Sequence, residues 1–112
     1  MNILIVDDDE GICATMEDIL EERHHLVKTA SNGYDAINLA KNHLFDLVLM
    51  DMRMPGISGL ETYRIMKKDN LSLNIVFMTA YANEDLIKQS KKDGFEILSK
   101  PINIDTFLYE LN

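Results

Sequence analysis

Four short, mostly apolar runs, each followed by a polar residue of a particular kind, limit what this chain can fold into. Ile3-Leu4-Ile5-Val6 leads into Asp7 and Asp8, and Leu47-Val48-Leu49-Met50 into Asp51. Ile75-Val76-Phe77-Met78 leads into Thr79, and Ile97-Leu98-Ser99 into Lys100. Runs this short and this apolar, separated by stretches with helical spacing, are the signature of an α/β fold with a parallel sheet. In such a sheet ligands bind outside the carboxyl ends of the strands. The five polar side chains, scattered through most of the sequence, are therefore expected at one edge.

The intervening segments complete the pattern. A first strand over about Asn2 to Val6 is followed by a helix from about Glu10 to Arg23, with Ile12, Met16, Ile19 and Leu20 at helical spacing and an acidic first turn. Leu26 to Thr29 reads as a short second strand. A helix after Asn32-Gly33 presents Ala36, Ile37 and Ala40 inward. After the third strand, Pro55 to Gly59 reads as a loop, with Ser58 capping a third helix that carries Leu60, Tyr63 and Met66 and Glu61 as capping-box partner. Asn74 to Met78 forms the fourth strand, followed by a helix from about Glu84 to Lys92 with a thin apolar stripe of Leu86 and Ile87. Phe95 to Ser99 is the fifth strand. A last helix from about Ile104, capped by Asn103, turns Phe107, Leu108 and Leu111 inward.

Strands one, three and four are apolar on both faces, as central strands covered by helices must be. The second strand is mixed and belongs at or near an edge. Right-handed crossovers then favour the order 2-1-3-4-5, a single doubly wound, flavodoxin-like five-stranded parallel sheet with helices on both faces. Its topological switch falls between strands one and three, where Asp7, Asp8 and Asp51 lie. All 112 residues are used by five β/α units, so 1–112 is expected to be one domain.

Composition removes several functions. A formal net charge of -8 opposes direct nucleic-acid binding by this segment and does not suit an anionic membrane surface. No run approaches the eighteen apolar residues of a membrane span, and the N-terminus lacks the basic start and longer apolar stretch of a signal peptide. The expected location is cytoplasmic. Cys13, the one cysteine, falls on the first helix and reads as core filler. His24 and His25 fall at the end of the first helix and His43 near the end of the second, away from the site edge, which argues against a histidine phosphoacceptor or a zinc site.

Three carboxylates held together repel one another, and a divalent cation relieves them. Mg²⁺, or Mn²⁺ in its place, takes oxygen ligands and shares its site with phosphate oxygens, so Asp7, Asp8 and Asp51 suffice to hold it. The bland alternative is that the Asp7-Asp8-Asp9 run merely caps a helix, a role that suits Asp9. A carboxylate such as Asp51 can attack phosphorus and form an acyl phosphate. Charge developing on the phosphoryl oxygens then needs donors and cations, which the Thr79 hydroxyl and the Lys100 ammonium offer. Taken singly, Thr79 is as readily a routine strand-end hydroxyl and Lys100 a surface lysine before a turn. Jointly those readings fail, because a residue of the required type ends each of strands one, three, four and five. The Lys100-Pro101 bond is one at which the cis isomer costs little.

These residues resemble the receiver domain of two-component response regulators. The matching elements are Ile3 to Asp9, Asp51-Met52-Arg53-Met54-Pro55-Gly56 through Glu61, Met78-Thr79-Ala80-Tyr81 and Leu98-Ser99-Lys100-Pro101. The resemblance implies that Asp51 accepts a phosphoryl group from a histidine kinase or a histidine phosphotransfer protein, or from a small donor such as acetyl phosphate. Asp7 and Asp8 would hold Mg²⁺, Asp8 more directly, with the Arg53 backbone carbonyl completing the set. Thr79 and Lys100 would contact the phosphoryl oxygens. The surface made by the fourth helix, fifth strand and fifth helix would then switch toward a downstream partner or a fused output domain, as a monomer or a phosphorylation-dependent dimer. Such a chain is a signalling phosphoacceptor that catalyses only its own phosphotransfer and dephosphorylation.

Three departures stand out. The family's usual aromatic position, three before the lysine, is Ile97, with Tyr81 and Phe95 as the nearby aromatic alternatives. The segment from Thr79 to Lys100 is one residue short, which places a tightened loop after Gly94. The last helix is shorter than usual, which suits either a minimal stand-alone receiver or a portion of a longer protein. Three other readings compete. A phosphatase of the haloacid-dehalogenase type would make Asp7 the nucleophile, but it leaves Asp51 to Pro55 unexplained and lacks a later acidic motif. An interaction-only pseudo-receiver would be expected to miss a site residue, and none is missing. A flavodoxin needs a Ser/Thr/Gly-rich phosphate loop after the first strand, which this chain does not have.

Overall fold

The computed structural model describes residues 1–70 and 73–111, with the side chains of residues 110 and 111 outside that description. Its elements are β1 (Asn2–Val6), α1 (Glu10–Glu22), β2 (Leu26–Ala30), α2 (Gly33–Asn42), β3 (Leu47–Asp51), α3 (Gly59–Asp69), β4 (Ile75–Thr79), α4 (Glu84–Asp93), β5 (Glu96–Ser99) and α5 (Ile104–Leu111). The strands form one sheet in the order β2-β1-β3-β4-β5, every pairing parallel. The doubly wound fold expected from the sequence is the one observed.

Strand alternation splits the core into two layers. Leu4, Val6, Val48, Met50, Ile75 and Phe77 face one side, where Ala36 and Ile37 of α2 and Met66 of α3 close over them. Ile3, Ile5, Leu47, Leu49, Val76 and Met78 face the other, against Cys13, Met16 and Leu20 of α1 and Ile104, Phe107 and Leu108 of α5. Complete burial of such side chains stabilises by roughly 1.5–3 kcal/mol each before chain entropy is set against it. The buried β3 and β4 thus form the rigid centre of the sheet, and both deliver a site residue as their last member.

Each helix starts just past the edge where those residues emerge, and each start is capped as the side-chain chemistry requires. Asp9 accepts the Ile12 N–H at 3.1 Å, Asn32 that of Asp35 at 2.9 Å, Ser58 that of Glu61 at 3.1 Å, Asn83 that of Leu86 at 2.9 Å and Asn103 that of Thr106 at 3.1 Å. The Glu61 carboxylate meets the Ser58 hydroxyl at 3.3 Å. Helix α1 ends with His24 in the left-handed region, φ 68°, while α4 ends on Gly94 at φ 79°. Gly94 and Phe95 alone connect α4 to β5.

Two expectations changed. The α4 stripe is narrower than Leu86 plus Ile87: Leu86 packs on the core, but Ile87 is exposed, and buried Ser90 fills the inner face with its hydroxyl bonded to the Ile87 carbonyl. Gly59 is the first residue of α3 rather than part of the loop, and it fits there for lack of a side chain. A Cβ would lie 2.6 Å from the Asp51 carbonyl oxygen and 2.9 Å from the Met52 Cα. The inward placement expected for Leu111 lies outside the described residues. Among the described residues no helix is long and apolar enough to cross a membrane.

Candidate functional site

The register of the sheet brings the strand-end residues together. Val6 pairs with Met50 and Asp51 with Met78, so Asp7 and Asp51 leave adjacent strands side by side, and Thr79 pairs with Ser99 one residue before Lys100. Backbone bonds continue the sheet just beyond the strands: the Asp7 N–H donates to the Ala30 carbonyl, the Met52 N–H to Met78 and the Lys100 N–H to Thr79. All five side chains expected at this edge are at it.

Asp7 is the most enclosed of the acids, 1% exposed. One of its carboxylate oxygens accepts the Asp9 N–H at 2.9 Å and the other the Lys100 ammonium at 2.8 Å, while its backbone carbonyl accepts the Cys13 thiol at 3.3 Å. Burial pushes that thiol up to about 11, with the Asp7 charge acting in the same direction, so Cys13 stays a neutral packing group. Lys100 also reaches Asp51 at 3.5 Å and so bridges the two carboxylates. Its peptide bond to Pro101 is cis. Asp8 is exposed, at the open side of the cluster.

Electrostatics follow from that arrangement. Burial, and after it the Asp7 charge, raise the Asp51 carboxyl above the usual carboxylate range, while the Lys100 charge and the backbone N–H of Arg53 pull the other way. Burial alone would lower the Lys100 ammonium. The hydrogen bond to Asp7 and the charges of Asp51 and Asp7 outweigh it and raise the ammonium, which stays charged. Thr79 is buried, and its hydroxyl accepts the Tyr81 N–H at 3.1 Å.

The donor set fits a divalent cation. Asp7, Asp8 and Asp51 each offer a carboxylate oxygen within 4.8 Å of the others. A set of oxygens only, open to water at Asp8, suits a hard ion that keeps part of its hydration shell. A single ammonium leaves the cluster with negative charge to spare, which a cation would balance.

Two features of the site are invisible in sequence spacing. The Arg53 guanidinium lies over the Tyr81 ring, 5.2 Å from its centroid, and joins the β3–α3 and β4–α4 loops across the mouth of the site. The close approach at Gly59 holds α3 against the Asp51 backbone. The histidines are elsewhere: His24, His25 and His43 line a groove with Asn2 and Leu26, at the opposite end of the sheet.

Comparison with known proteins agrees with this geometry. The response regulator receiver domain model matches residues 3–112. Sporulation initiation phosphotransferase F of Bacillus subtilis is 36% identical over 104 residues, which cover 92% of this chain and 84% of that protein. The response regulator TrrA of Thermotoga maritima, solved in complex with Mg²⁺-BeF, is 31% identical with a TM-score of 0.85, covering 98% of this chain and 95% of that one. A Burkholderia pseudomallei response regulator with a phosphorylated aspartic acid and a calcium ion is 30% identical with a TM-score of 0.88, covering 99% of this chain and 66% of that one. The transcriptional regulatory protein ZraR of Klebsiella oxytoca is 36% identical over 94% of this chain, which spans only 24% of that protein's length. With its sheet order, its clustered strand-end residues and a family match over nearly its whole length, this chain belongs to the response regulator receiver domain family.

Proposed function

We propose that this chain is a phosphoacceptor receiver in which Asp51 takes a phosphoryl group from a phosphohistidine donor. The observation that carries the assignment is the contrast between the two enclosed aspartates. Both Asp7 oxygens are engaged, by the Asp9 N–H and by Lys100. Asp51 stands at the end of a wholly buried strand and shares only the longer, 3.5 Å contact with Lys100. Asp51 is thus the nucleophile, and Asp7 a cation ligand and an anchor for Lys100.

In the reaction an Asp51 carboxylate oxygen forms a bond to phosphorus as the bond from phosphorus to the donor's imidazole nitrogen breaks. The imidazole leaves with the electron pair and takes a proton from water, and an acyl phosphate remains. Lys100 neutralises charge on the phosphoryl oxygens, and the Thr79 hydroxyl donates to one of them. Asp7, Asp8, one Asp51 oxygen and the Arg53 backbone carbonyl would hold Mg²⁺, or Mn²⁺ in its place. That ion, when bound, screens the carboxylates from the incoming phosphoryl oxygens. The same groups serve the reverse outcome, in which water attacks phosphorus and releases inorganic phosphate, so the chain catalyses its own phosphotransfer and dephosphorylation.

Residues 1–112 act as one receiver unit in the cytoplasm. Its donor is a histidine kinase or a histidine phosphotransfer protein. Its output passes through the α4-β5-α5 face to a downstream partner or an attached output domain, with phosphorylation favouring one of two conformations. Incubation with acetyl phosphate and Mg²⁺ tests the proposal by intact mass: one added phosphoryl group is expected in the native chain and none in Asp51→Asn. An adduct of equal yield in Asp51→Asn that disappears in Asp7→Asn would transfer the nucleophile to Asp7.

A further inference from the structure

The contacts around Tyr81 link the two loops that follow Asp51 and Thr79. Arg53 follows Asp51 by two residues, and its guanidinium lies over the Tyr81 ring. The Tyr81 backbone N–H then returns to the Thr79 hydroxyl at 3.1 Å. Tyr81 is thereby tied on both sides to groups that face the phosphoryl position. The residue is nonetheless 67% exposed, with the guanidinium over its ring.

The other aromatic groups near this end of the sheet are fixed. Phe95 is 7% exposed and wedged edge-on against Phe77, ring centroids 5.1 Å apart, and against Tyr63 at 5.9 Å. Phe77 is completely buried. Ile97 packs on the same core and carries no ring. Among these residues Tyr81 alone combines an exposed side chain with direct ties to the site.

We propose that Arg53 and Tyr81 form a latch that phosphorylation opens: the Arg53 guanidinium leaves the Tyr81 ring for the phosphoryl oxygens, and the freed Tyr81 carries the change into the β4–α4 loop. This rests on Asp51 being the phosphoacceptor. The direction follows from relative strengths. A cation–π contact at an exposed site is weak, whereas an arginine paired with phosphoryl oxygens makes charge-assisted, forked hydrogen bonds. Arg53 stands only two residues beyond Asp51, which keeps the guanidinium's own loop beside the new charge. Thr79 acts in the same sense. Turning its hydroxyl toward a phosphoryl oxygen draws it away from the Tyr81 N–H, so both ties to Tyr81 loosen in one event. Arg53 becomes a positioning group for the acyl phosphate, with Tyr81 as its resting partner.

Nuclear magnetic resonance of the Arg53 side chain reads the latch directly. In the protein with Mg²⁺ alone, the Arg53 Nε–H proton is expected upfield because the guanidinium lies over the Tyr81 ring, and Tyr81→Leu should move it downfield. Acetyl phosphate should remove the upfield shift in the native chain as the adduct accumulates, with intact mass followed on the same sample. Asp51→Asn should keep the resting spectrum throughout. In Arg53→Ala the Tyr81 ring resonances should already sit, without any donor, where the phosphorylated native chain places them. An unchanged Arg53 Nε–H in protein that mass shows to be phosphorylated overturns the latch while leaving Asp51 as acceptor. Failure of the native chain to gain mass overturns the acceptor reading, and the latch with it.

Discussion

Replacing Lys100 with methionine keeps most of the stem's packing and removes the cation that holds the acidic cluster together. The ammonium lies 2.8 Å from Asp7 and 3.5 Å from Asp51. At an effective dielectric constant of 20 those separations correspond to attractions of about 6 and about 5 kcal/mol before any desolvation is counted. The recovered desolvation of lysine cancels part of this, and losing one partner of a buried pair costs about 3–5 kcal/mol net. Lys100 is 20% exposed and Asp8 opens the cluster to water, so the lower end, about 3 kcal/mol, is the expected loss. At a slope of about 2 kcal/mol/M that lowers the urea midpoint by about 1.5 M. Removing the lysine raises the negative charge of the cluster by one, so Mg²⁺ should bind the variant more tightly and recover part of the lost stability through its preference for the folded state. Urea melts of both proteins in chelator and in millimolar Mg²⁺ supply the four midpoints needed. Equal midpoints in chelator, or a gap that Mg²⁺ leaves unchanged, would refute the view that Lys100 and a metal ion neutralise the same carboxylates.

The Asp51 carboxyl is raised by burial and then by the Asp7 charge, so the folded state holds its proton more tightly than the unfolded one. Ionised Asp51 therefore costs stability that appears as pH rises through its folded value. In chelator, Asp51→Asn should be more stable than the native chain at pH 7, and thermal melts should show that advantage disappearing toward the ordinary carboxylate range. His24→Gly should stabilise by about 0.5–1 kcal/mol in chemical denaturation, since a left-handed position after a helix suits glycine and His24 occupies one at φ 68°. Gly59→Ala should destabilise by about 1–3 kcal/mol in the same assay and slow the gain of mass from acetyl phosphate, because its Cβ meets the unyielding backbone of Asp51 and Met52.

Much of the fold is legible because β/α alternation and right-handed crossovers leave few ways to order five parallel strands. The site is legible for the same reason. Once the apolar runs are strands of one sheet, Asp7, Asp51, Thr79 and Lys100 must share an edge wherever they stand in the sequence. What escapes a linear reading depends on contacts across the fold. Ile87 looks like a core residue by spacing, but buried Ser90 takes up the inner face of α4. Gly59 looks like a loop glycine because nothing local reveals that α3 starts against the backbone after β3. Tyr81 and Phe95 are equivalent aromatic candidates on paper. Only packing separates them, one wedged among Phe77 and Tyr63 and the other held at the mouth by Arg53.

The most direct test of Asp51 as phosphoacceptor is chemical mapping of the adduct. The protein is phosphorylated with acetyl phosphate and Mg²⁺, the acyl phosphate is reduced with borohydride to homoserine, and the altered residue is located by peptide mass. Homoserine at position 51, absent when the donor is omitted, is the predicted result. Homoserine at position 7, with Asp51 unmodified, would contradict it.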